Sequence, residues 1–173
     1  RGVWVNDVWG WTDPETGRDY ALVARRDGTA FVDVTDPEAP RLVGSLPRTA
    51  GSRPSVWRDI KVSRDHAYIV SDGAGAHGMQ VFDLARLRSV SGPPVVFRAD
   101  AHYGGIHSAH NVVADTATGR FADADRITPF RHRGAHFEVA GPLNAIPFEG
   151  GDDPVVVSPG GSPRGLAFAG ARS

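Results

Sequence analysis

Short apolar runs broken by turn residues carry the pattern of this chain, and no helical stretch is long enough to bridge parallel strands. Tyr20-Ala21-Leu22-Val23-Ala24 and His66-Ala67-Tyr68-Ile69-Val70 are compact apolar runs that predict strands buried on both faces. Phe31-Val32-Asp33-Val34 and Val81-Phe82-Asp83-Leu84 are β-branched and aromatic and end near turn signals, so they also predict strands. In Thr35-Asp36-Pro37-Glu38-Ala39-Pro40, Asp36 caps a bend for which Pro37 pre-sets φ. Residues 41–46 then supply a fourth, outer strand. In the second half of the pattern, residues 83–88 predict one helical turn, followed by a strand over 95–98.

These elements recur. Asn6-Asp7-Val8-Trp9 matches Arg58-Asp59-Ile60-Lys61, with Asp7 and Asp59 lying 52 positions apart, and Asp33 and Asp83 lying 50 apart. A third start appears at His110-Asn111-Val112-Val113. Four strands in each unit of roughly 40–50 residues is the spacing of a propeller blade. The expected fold is therefore all-β: an incomplete β-propeller of about two four-stranded blades plus the start of a third.

Composition narrows the functional classes. Nineteen basic and twenty acidic side chains leave a net charge of −1, so a broad phosphate-binding surface is not expected and nucleic acid is not an expected partner. No apolar run approaches the roughly 20 residues that span a bilayer. Gly (21) and Pro (13) are well above average, which fits many short strands and turns. There is no cysteine, hence no disulfide or thiolate chemistry. The first residue is Arg1, with no leader pattern behind it, which suggests a removed signal segment or an excerpt of a longer reading frame.

Ala30-Phe31-Val32-Asp33-Val34-Thr35-Asp36-Pro37 and Gln80-Val81-Phe82-Asp83-Leu84 resemble the LVIVD repeat. The segments at 6–11, 57–62, 71–84 and 101–111 resemble the choice-of-anchor B family, and the likeness covers about residues 3–119. The resemblance implies a β-propeller, usually exported and often held at the cell surface, so the expected location is secreted or cell-surface. It brings no agreed catalytic residues. Two regions follow: blades over 1–119 and an irregular or disordered tail over 120–173. In that tail Arg120-Phe121-Ala122-Asp123-Ala124-Asp125-Arg126 carries too many charges for a buried strand. A ring needs about four to eight blades. The remaining ones are expected from the parent chain or from self-association, and the isolated chain is expected to be marginally stable.

Candidate chemistry sits on the loops. His102, His107 and His110 lie close in sequence, with Asp72, His77 and Asp100 nearby, and imidazoles and carboxylates are zinc-type ligands. In an extended strand His102 and His110 would be roughly 26 Å apart, so chelation of a divalent metal would require Gly104-Gly105 to fold the segment back. The plainer alternative is loop histidines bonded to backbone or water. Asp72 and His77, on the glycine-rich segment 71–78, are the candidate ligand-binding residues; that segment lacks the Lys-Ser/Thr and the following helix of a phosphate loop. Ser108 with His110, or Ser71 with His66 and Asp72, form a hydrolytic triad only on paper. Trp4, Trp9, Trp11 and Trp57 are expected mostly to pack between blades, an aromatic binding platform being the alternative, while Asp33, Asp59 and Asp83 are expected to bond turn amides, with a calcium site as the minor alternative.

The leading expectation is a non-enzymatic module that presents loops to a protein or small-molecule ligand, with no resident cofactor and no catalytic residue. The alternative is a metal-dependent hydrolase using the segment from His102 to His110 to activate water. A structural surface-array component is a third.

Overall fold

The computed structural model describes residues 3–115, together with the backbone of strands at 120–123, 128–133 and 136–139. The fold is all-β. Sheet one contains β1 (Val5–Thr12), β2 (Asp19–Arg25), β3 (Gly28–Asp33) and β4 (Arg41–Pro47), paired in that order as an antiparallel meander. Sheet two follows the same scheme with β5 (Arg58–Ser63), β6 (His66–Ser71), β7 (Met79–Asp83) and, beyond a 3-10 turn (Leu84–Ser89) and β8 (Val95–Val96), β9 (Ala101–Tyr103). A third sheet runs β10 (Val112–Asp115), β11 (Arg120–Asp123), β12 (Thr128–Arg133) and β13 (His136–Val139). No helix among the described residues is long and apolar enough to cross a membrane.

Two expectations are corrected here. The strand expected over 95–98 as the fourth of sheet two is only Val95–Val96, and it pairs in parallel with β4 of sheet one. The physical reason is an available edge: β4 offers unpaired backbone groups, and Phe97 N–H completes the join by donating to Ser45 O at 2.8 Å. Gly44 permits this approach, since a Cβ there would lie 2.4 Å from Val95 O. The place in sheet two then falls to β9. Second, residues 120–123, 128–133 and 136–139 are strands rather than irregular chain. An antiparallel ladder needs backbone partners and not a wholly apolar run. The rest of the expected tail lies outside the described residues.

The main core lies between sheets one and two. Trp11, Tyr20, Leu22, Ala24, Phe31, Val43 and Leu46 of sheet one meet Ile60, Ala67, Ile69, Phe82, Leu84 and Leu87. Phe31, Phe82 and Phe97 form its aromatic centre, with centroids 4.5–5.8 Å apart. A second cluster (Tyr68, Val70, Met79, Val81, Ile106, Ala109, Val112) covers the other face of sheet two. That double cover explains why β6 is almost wholly buried, whereas β2 is buried only at alternate positions.

Polar links repeat the sheet spacing. Asp7 accepts the Ile60 amide at 2.9 Å, and Asp59 accepts the Val112 amide at 2.8 Å. Asp59 thus ties one sheet to the next, while Asp33 and Asp83 do bond the local amides of Thr35 and Ala85. Burial raises the Asp59 carboxyl, opposed by Lys61 and the Val112 amide. At the far end of the sheets, Trp11 Nε1 donates to Asp65 at 3.0 Å and Arg88 clamps the buried Asp13 carboxylate at 2.7–3.0 Å. The Arg88 bond holds that carboxyl well below the usual range. Asp65 stands in a two-residue hairpin turn in which it and Arg64 both have positive φ, 58° and 48°.

Three of the four tryptophans depart from expectation. Only Trp11 is buried; Trp4, Trp9 and Trp57 are exposed. They lie on or beside the first strands of sheets one and two, and Trp9 is instead covered by Lys61, whose Nζ sits 4.6 Å from the ring centroid.

Candidate functional site

Three connections meet at one end of the sheets: residues 48–57, 72–78 and 104–111. β5 begins here and β6 ends here, so the loops are anchored on the ladder itself. Asp72 N–H donates to Trp57 O at 2.8 Å, Arg53 N–H to Ala74 O at 2.8 Å, and Gly78 N–H to His107 O at 3.0 Å. Gly78 has φ 64°, and a Cβ there would lie 2.5 Å from Tyr103 O, so only glycine suits this crossing.

The outer part of the site centres on Asp72. Its Oδ1 accepts from the Ser108 hydroxyl at 2.9 Å and from Gly73 N–H at 2.7 Å; its Oδ2 lies 3.3 Å from His110 Nδ1. The Ser108 bond, then the Gly73 amide and His110, hold the Asp72 carboxyl below its ordinary range, so it is an anion at neutral pH. His110 packs against Trp57 with ring centroids 5.8 Å apart, and the Trp57 ring remains 52% exposed. The result is a half-exposed carboxylate beside an aromatic face, and it brings together Asp72 and His110 from the sequence-derived set.

The inner part holds His77, which is fully buried rather than presented on the loop. Its Nδ1 donates to Gly78 O at 2.9 Å, a carbonyl being able only to accept, so Nε2 accepts from Arg58 Nη2 at 3.0 Å. Burial and the adjacent Arg58 guanidinium bring the imidazole down to about 4, and it is neutral. His102 Nε2 donates to His77 O at 2.8 Å. His107 is exposed and contributes its carbonyl to Gly78. His102, His107 and His110 are therefore engaged in three different places. Among the described residues no three His, Asp or Glu side chains converge as a metal-holding group.

The paper triads also come apart. Asp72 stands between Ser108 and His110, so the hydroxyl bonds to the carboxylate, with the imidazole on its other oxygen, whereas nucleophile activation needs a base next to the hydroxyl. Ser71 donates to Trp57 O, and His66 occupies the opposite end of β6. Such an arrangement can present charge and an aromatic surface.

Sequence reasoning missed Arg58 as a site residue, whereas Trp57 was weighed there as part of an aromatic binding platform. The signal for Arg58 was register: Asn6, Arg58 and His110 recur at the 52-residue spacing as polar residues at or just before the first strands, and Asn6 Nδ2 donates to Arg58 O at 3.2 Å. Comparison with protein-family models, with characterised proteins and with solved structures gives no match.

Proposed function

We propose that this chain is a β-propeller repeat module, a non-enzymatic scaffold of an exported or cell-surface protein that binds a protein or small-molecule ligand at the end where loops 48–57, 72–78 and 104–111 meet. The observation that carries the repeat is the shared spacing of the two Asp-to-amide links, each crossing 53 positions from one sheet's first strand to the next. Repetition of one inter-sheet bond is how a blade array builds itself, each unit burying a face on its neighbour. The location follows from the likeness to the choice-of-anchor B family.

The remaining blades have a place to dock. Aligning Val8 with Ile60 by strand register aligns Val23 with Ile69 and Val32 with Phe82. Ile60, Ile69 and Phe82 are wholly buried against sheet one, whereas Val8 is 60% exposed and Val23 and Val32 are half-buried. The outer face of sheet one thus carries apolar side chains at the positions a further blade would cover.

At the loop end, the exposed Trp57 ring and the ionised Asp72 give a surface for hydroxyl-rich or basic groups. The test is an array of glycans and of peptides with basic and aromatic side chains, probed with the wild-type chain, Trp57→Ala and Asp72→Asn. Binding that falls at least tenfold in both variants supports the reading. An array that stays silent, or binding that ignores both substitutions, overturns it.

A further inference from the structure

Among the described residues Arg58 is the largest fully buried side chain, 1% exposed, and lies where the first strand of sheet two enters the interface with sheet one. Only its Nη2 has a partner among the described residues, the neutral His77; Nε and Nη1 have none there. Its two charged neighbours do not solve the problem. Asp27 acts on it through space but is held in a fork by Arg25 at 2.8–3.1 Å, and Arg48 is a second cation whose guanidinium donates to Ser52 O.

Other unpartnered groups gather at the same end. Thr29 Oγ1 and Gln80 Oε1 are buried without partners, so four of the six such atoms among the described residues belong to Arg58, Thr29 and Gln80. Thr29 and Gln80 are the second residues of β3 and β7, strands that start at this end. Thr29 pairs with Leu46, and Gln80 Nε2 donates to the next carbonyl, Pro47 O, at 2.9 Å. Gln80 also follows His77, the partner of Arg58, by three positions. Buried polar groups in native proteins are nearly always paired, with water or an ion where no protein group reaches them.

We propose that this end of the sheet–sheet interface holds one small monovalent anion, of chloride size, on the free nitrogens of Arg58, with the Thr29 hydroxyl as a second donor and water linking it to Gln80 Oε1. Water alone would satisfy the hydrogen bonds and leave a buried positive charge beside Arg48, the costly arrangement. Burial brings the Arg58 guanidinium down only to about 10, so it stays charged at neutral pH, and an anion on its free nitrogens would balance that charge. The inference stands whether or not further blades exist.

The test is a chloride titration at constant ionic strength, with sodium gluconate as the bulky replacement, read by chloride-35 NMR linewidth and by Tm. The wild-type chain should broaden the line saturably, release chloride to bromide, and melt higher as chloride rises. Arg58→Met should abolish both effects. Should that variant fail to fold, Thr29→Val, which removes one donor and keeps the volume, should shift the chloride midpoint several-fold upward. A bromide-soaked crystal should show its anomalous peak beside Arg58. A linewidth and Tm indifferent to chloride, or bromide peaks only on the surface, would overturn the proposal.

Discussion

Sheets one and two share a pairing scheme and differ in what surrounds it. In sheet one the β2–β3 connection is the two-residue turn 26–27 and the β1–β2 connection is the longer 13–18; in sheet two the lengths reverse, with 64–65 between β5 and β6 and 72–78 between β6 and β7. The strands keep register through both, because register is set by the ladder and by the buried face. Connections are then free to differ, and the longer one places Asp72, His77 and Gly78 over the end where Trp57 and Ser108 stand. Among the described residues sheet two is covered on both faces and sheet one on the inner face only, so chemically similar side chains at matched positions experience different surroundings.

That contrast is tested most strongly at the pair Val32 and Phe82. Phe82→Ala should cost about 3–5 kcal/mol in urea unfolding, the range for a buried phenylalanine. Val32→Ala should cost about 1 kcal/mol or less, since much of its surface is already wet. Equal penalties would mean the outer face of sheet one is covered in solution.

The second effect belongs to sheet two alone. His77 is neutral and buried, with its pKa down to about 4 against an ordinary 6.5. An unfolded chain takes up a proton below 6.5 while the folded one refuses it until about 4, so stability falls as pH drops through that window. The full loss is about 3 kcal/mol, from a shift of roughly 2.5 units. His77→Gln should flatten the slope between pH 6.5 and 4 in denaturant titrations; an unchanged slope would remove His77 as its cause.

Next come the two inter-sheet carboxylates. Asp59→Ala strands the buried Val112 amide and should cost about 1–3 kcal/mol. Asp7→Ala should cost less, because Asp7 is only half-buried. Faster hydrogen exchange at the Val112 amide in the first variant and at Ile60 in the second would tie each loss to its bond; faster exchange at neither would break the equivalence of the two links.

Much of the ladder was legible because its signals are local. Runs such as 20–24 and 66–70 announce strands, and Asp33 and Asp83 bond amides two residues on, which the sequence itself displays. What was not legible depends on distant partners. The Val95–Val96 strand is apolar wherever it pairs, and only the open edge of β4 decides that it joins sheet one. His77 in a glycine-rich segment reads as a loop residue, and Arg58 reads as a surface charge; both are buried because loops and sheets more than 15 positions away close over them. The tryptophans invert the same rule: large apolar rings are expected inside, yet Trp4 stays 76% exposed, and Trp57, although His110 packs against it, stays 52% exposed.

The smallest expected effect lies at the short turn of sheet one. Arg25 and Asp27 form a fork at 2.8–3.1 Å, and Asp27 is half-exposed to solvent. Asp27→Asn should change stability by about 1 kcal/mol or less, because exposed pairs trade Coulomb energy against side-chain entropy and screening. Its consequence at the buried Arg58 should be larger than its consequence for stability. Asp27 is the acidic charge that acts on Arg58, so its removal makes the interface more positive and should move the chloride midpoint to lower concentration, by a factor that shrinks as ionic strength rises. A midpoint that stays fixed would separate the turn of sheet one from the charge balance of sheet two.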